Sequence, residues 1–178
     1  MKNLLILIFV LNSILFAFET DRKDEIRRLF YFSVESVDSL KKFENHLKSL
    51  SRKLDESFSL AYSGAYLTLV AKHSINPYTK YYKLKEGLEL LDRAIQLEPD
   101  NLEYRFIRLS VLNYVPSFLG FDDKFFGDYE KAFALLKKKD FSSVDKQTQK
   151  GIIEFLMRSK KLNSSQKSEL KKLYKEFE

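Results

Sequence analysis

The chain has 178 residues, 44% hydrophobic and 15% aromatic, enough to bury a core and too much to leave the whole chain disordered. Five Gly and three Pro are too few for the many turns of a sandwich or barrel, and the Lys, Glu and Leu content favours an all-α protein. No cysteine occurs, which excludes disulfides, thiol chemistry and a lipidated N-terminal cysteine, and the formal net charge is +6.

Residues 1–18, MKNLLILIFVLNSILFAF, have the layout of a secretory signal peptide: one lysine, then an apolar run. From Leu4 to Phe18 that run is 15 residues, broken by Asn12 and Ser13, whereas a bilayer-spanning helix needs about 20 predominantly apolar residues. Cleavage is expected near Ala17, leaving residues 19–178 as a periplasmic or secreted domain without a transmembrane anchor. An N-terminal helix that stays uncleaved and anchors the chain is the alternative.

The remaining chain is a succession of amphipathic segments. Ile26, Leu29, Phe30 and Val34 form one stripe and Val37, Leu40, Phe43, Leu47 and Leu50 a second, with Ser36 as the break between them. Leu54, Phe58, Ala61, Ala65 and Val70 mark a third helix. Gly64 within it is expected where a neighbouring helix crosses closely, so that leucine there overpacks and alanine is tolerated. Leu84, Leu88, Leu91, Ala94 and Ile95 mark a fourth helix, which Pro99 stops near Leu97 or Glu98. Asp100 with Glu103 has the spacing of a capping box, so a fifth helix is expected from Asp100 to about Val115, before Pro116. A stop and restart this close make the two helices antiparallel neighbours. Further helices take in Tyr129 to Lys138 and Asp145 to Lys160, and a last one begins at Asn163, with Gln166 completing a capping pair. The expectation is a single domain of seven or eight helices arranged as antiparallel hairpins.

Gly87, Leu91, Ala94 and Pro99 together resemble the second half of a tetratricopeptide repeat, and "LEPDN" is a common ending of that repeat. Leu60, Ser63, Gly64 and Leu67 resemble its first helix, although Ser63 and Leu67 depart from the usual residue types. Gly64 and Gly87 are 23 residues apart, about 11 more than the repeat has between these positions, so an insertion either separates its two helices or lengthens them. The resemblance covers about residues 57–101. It extends to exported bacterial helical proteins built around one such degenerate repeat, which implies a TPR-like fold and a surface for binding proteins or peptides, and no activity.

Catalytic and metal chemistry find little to build on. His46 and His73 stand in no H-E-x-x-H arrangement, and no cysteine ligand exists. In "GFDDKFFGD", residues 120–128, Lys124 and Phe126 occupy places where a calcium loop needs oxygen ligands, so a loop and a helix N-cap are expected there. No phosphate-binding Gly loop, nucleophile elbow or dinucleotide fingerprint occurs. The expectation is no enzyme, no cofactor and no metal, the alternative being an envelope enzyme with an unrecognised carboxylate site.

Two stretches concentrate aromatics. "HSINPYTKYYK", residues 73–83, reads as a loop carrying Tyr78, Tyr81 and Tyr82 with Lys80 and Lys83; it is expected to fold back on the core with its own rings, the alternative being that it is the candidate contact surface for a partner. "YVPSFLGFDDKFF", residues 114–126, is expected to fold back on the core with its own rings. Charge is uneven: residues 131–178 carry a balance of +7 and residues 1–130 one of −1. Lys171, Lys172 and Lys175 are the candidate basic surface, suited to an anionic envelope polymer or lipid head group. An exported chain seldom meets nucleic acid, so that partner is not expected. The function expected is non-catalytic binding or scaffolding, with another envelope or secreted protein as partner.

Overall fold

The computed structural model describes residues 22–50 and 54–177, and these are all-α. The apolar run at 4–18, expected to direct export, lies outside them. Helical residues 22–33 (α1) are followed by α2 (Val37–Leu50), α3 (Glu56–His73), α4 (Pro77–Leu97) and α5 (Leu102–Leu112). A 3₁₀ turn (Ser117–Leu119), α6 (Asp122–Lys138), α7 (Lys146–Met157) and α8 (Ser164–Lys175) complete the order. No helix among the described residues is long and apolar enough to cross a membrane. The chain divides into two compact units, with the division falling within α4 after Ala94.

In the first unit, α1 stops at the Ser36 break: the Ser36 hydroxyl accepts from Ser39 N–H at 3.1 Å and starts α2. Ile26, Phe43 and Phe58 are fully or almost fully buried, and Tyr62 sets its ring edge-on to Phe30 and Phe43. The third and fourth helices form an antiparallel hairpin whose crossing brings Gly64 against Gly87. A β-carbon placed on Gly64 would stand 2.7 Å from the Gly87 carbonyl oxygen and 2.9 Å from Leu91 Cγ, and one on Gly87 would stand 2.7 Å from the Gly64 carbonyl oxygen. Close packing at Gly64 is therefore observed, but the expected tolerance of alanine is not, because the obstacle is backbone that cannot swing aside. The extra residues between the two glycines lengthen both helices rather than separating them, leaving a connection of residues 74–76.

Asp55 caps α3, accepting from Phe58 N–H at 2.8 Å, Ser57 Oγ at 2.9 Å and Lys23 Nζ at 2.6 Å. Burial pushes its carboxyl up, but the Lys23 hydrogen bond, with those from Phe58 and Ser57, outweighs burial and holds it below its ordinary value. A carboxylate depressed in the folded state adds stability above its unfolded value of 3.8 and loses it as pH falls through the lower folded value. Asp55→Ala is expected to cost about 1–2 kcal/mol at neutral pH. Urea unfolding should show that difference shrinking as pH falls below 3.8; a difference unchanged into acid would contradict the assignment.

In the second unit, α5 packs on α6 and α7 on α8, around Leu109, Leu112, Phe125, Leu136, Ile153, Leu156 and Leu170, all fully buried. Asn101, not Asp100, caps α5, accepting from Tyr104 N–H at 3.1 Å, because Pro99 and Asp100 are used in the turn and Asp100 pairs with Lys131 at 2.5 Å. The helix ends at Leu112, short of Val115. The sixth helix starts at Asp122, seven residues before Tyr129, since burying Phe125 and Asp128 requires helix there. Asp145 caps α7, and Asn163 with Gln166 forms the expected capping box of α8.

Candidate functional site

The candidate tyrosines do not lie in a loop. Asn76 Oδ1 accepts from Tyr78 N–H at 2.9 Å and Thr79 N–H at 3.2 Å, and Pro77, with no N–H to satisfy, takes the first helical position. The Asn-Pro pair is thus a helix start, and Tyr78, Lys80, Tyr81, Tyr82 and Lys83 all belong to the first two turns of α4. Tyr78 and Tyr82 are four apart and point away from the buried Leu84 and Leu88; Tyr81 sits edge-on to Tyr82 at 5.9 Å. Nor do these rings cover the core: Tyr78 is 76% exposed, Tyr82 65% and the preceding Ile75 98%. Lys80 is exposed, while Lys83 is half-buried and pairs with Glu86 at 2.7 Å.

The end of α3 ties this hairpin tip to the turn after α1. Lys72 Nζ donates to Val34 O at 2.5 Å and Glu35 Oε1 at 2.7 Å, and His73 Nε2 lies 2.9 Å from Ser33 O. The Lys72 hydrogen bond, then its charge, holds the Glu35 carboxyl below its ordinary range. This clasp sets Tyr31 (73% exposed) and Phe32 (55%) at the same end of the unit as Ile75 and Tyr78. Seven of the eleven exposed large apolar side chains among the described residues lie in 31–37 and 75–82, so the exposure is concentrated rather than scattered. Sequence reasoning missed Tyr31, Phe32 and Ile75. Three consecutive aromatics, Phe30 to Phe32, were the available signal, because a helix can turn only one or two of them to its core.

The basic candidates belong to the second unit: Lys171, Lys172 and Lys175 are all exposed on α8. In the second aromatic stretch, Phe125 is fully buried, but Tyr114 is 78% and Phe118 86% exposed, so this stretch covers the core only in part. Asp128, on α6, is fully buried and accepts from Arg108 Nε at 2.6 Å, Arg108 Nη2 at 2.8 Å and Arg105 Nη1 at 2.8 Å. A hollow of about 370 Å³ is lined by Asn113, Tyr114, Gly151, Glu154, Phe155, Arg158 and Lys160. Its single carboxylate, Glu154, accepts from Tyr174 Oη at 2.6 Å. Among the described residues no group of three His, Asp or Glu side chains is placed to hold a metal.

The chain matches no protein-family model, no curated protein and no solved structure. The class defined by these observations is an all-α protein of helical hairpins with an exposed aromatic end on its first unit.

Proposed function

We propose that this protein works by binding another protein of the cell envelope or one secreted with it, through the aromatic end of its first unit. The observation that carries this is the exposure of Ile75, Tyr78 and Tyr82 at a hairpin tip that Lys72 and His73 tie to the turn following exposed Tyr31 and Phe32. Water-exposed apolar area in one patch gains free energy when a partner covers it, and rigid rings on a capped helix lose little entropy on binding. Tyrosine adds a hydroxyl that can bond a partner's polar rim. The hairpin bearing the patch is taken as a lengthened tetratricopeptide-like pair, supported by the mutual approach of Gly64 and Gly87, its two small positions. Export rests on the N-terminal sequence.

Combined substitution Ile75→Ser, Tyr78→Ala and Tyr82→Ala removes only exposed side chains, so the melting of the variant should match that of the wild type. Its affinity for a protein captured by the wild type should fall by about 2 kcal/mol or more, the scale of an aromatic anchor. Unchanged affinity in a folded variant would place the contact elsewhere.

A further inference from the structure

The last helix turns one face outward among the described residues. Leu170, Leu173 and Phe177 are buried and define the core side of α8. At 100° per residue, the opposite side gathers Ser164, Ser168, Lys171, Lys172 and Lys175, with half-buried Lys167 on its flank. Lys167, Lys171 and Lys175 follow one another at i, i+4, and Lys172 stands beside them. Two acids border this side, Glu169 three residues before Lys172 and Glu176 four after it; the charge of Glu169 also bears on Tyr129, and Glu176 pairs with Lys139 at 2.8 Å. Among the described residues none of the four lysines is engaged in an ion pair or a ring contact.

Three like charges on one helix face, with a fourth on its flank, repel one another. A partner that supplies negative charge removes the repulsion. We infer that the outward face of α8 is a docking surface for an anionic membrane leaflet. The form of the stripe selects this occupant. It is the outward side of a single helix with neither groove nor aromatic platform, the features that hold a single nucleic-acid strand. It has no arginine, so no planar fork is present to grip individual phosphates in pairs. Lysine point charges on a convex face match the diffuse negative potential of a head-group layer, where each contributes independently. The stripe lies in the second unit, so its test is independent of the aromatic end.

The test is co-sedimentation of the full chain with vesicles of phosphatidylglycerol and phosphatidylcholine in equal parts, read as the excess over phosphatidylcholine alone. The wild type should show an excess that disappears near 1 M salt, where the screening length is about 3 Å. Changing Lys167, Lys171, Lys172 and Lys175 to Gln should lower that excess affinity roughly a hundredfold or more, since each lysine near an anionic leaflet contributes about fivefold. The same positions changed to Arg should keep it, which separates loss of charge from loss of fold. No excess for the wild type, an unchanged excess for the Gln variant, or loss in the Arg variant would each overturn the inference. So would binding a soluble acidic polymer in place of the vesicles.

Discussion

Asp128→Ala is expected to destabilise the protein by about 3–5 kcal/mol, far more than the loss of an exposed ion pair. Asp128 is fully buried, and both of its oxygens are used by Arg105 and Arg108, whose side chains are only 12% and 10% exposed. Removing the carboxylate leaves α5 and α6 packed around two guanidinium groups that have lost their shared counter-charge. Arg108 is buried, so its charge would be left in the interior, while Arg105 keeps its hydrogen bond to the Pro99 carbonyl at 2.8 Å. Asp128→Asn keeps the shape and part of the hydrogen bonding but not the charge, so it should lie between Ala and the wild type. Urea unfolding followed by helical circular dichroism measures both. A loss below about 1 kcal/mol for Ala would show that the arginines find other partners and that the cluster does not hold the unit together.

The second large effect is at the glycine crossing. Gly64→Ala and Gly87→Ala would each gain about 1 kcal/mol of helix propensity if the helices were apart. They are not apart. The added carbon would stand 2.7 Å from the opposing carbonyl oxygen in either case, so the helices must separate along a line that includes Leu91 and Thr68. Overpacking of this kind costs about 1–3 kcal/mol, and a larger side chain costs more. We expect a net loss for each alanine and a loss beyond ~3 kcal/mol for Gly64→Leu. Equal or higher stability of Gly64→Ala than of the wild type would contradict the crossing geometry.

Much of the helical layout was legible because its causes are local. Pro99 stops α4, Asn163 and Gln166 cap α8, and Ser36 divides α1 from α2 through signals within a few residues of each boundary. The shift of the α5 cap from Asp100 to Asn101 reflects two adjacent capping residues, of which the turn takes one. The segment at 120–128 misled for a physical reason. Its glycines and aspartates have the composition of a loop, but Asp128 is drawn into the helix by arginines 20 and 23 residues away, which no local pattern reveals. The tyrosines of the candidate site were found by their composition, while their setting was not. Asn76 and Pro77 read as a loop and act as a helix start. The exposure of Tyr31, Phe32 and Ile75 depends on Lys72 and His73 reaching the turn at 33–35, a contact across almost 40 residues of chain.

Contact between the aromatic end and a protein partner is tested most directly by a photo-reactive residue placed at Ile75 or Tyr78 of the full chain in its own host, with exposed Lys42 on α2 as the control position. Irradiation followed by separation of envelope from cytoplasm should yield one discrete adduct of higher mass in the envelope fraction from positions 75 and 78, and none from position 42. Adducts of equal yield from all three positions, or none from 75 and 78, would contradict a partner at this end.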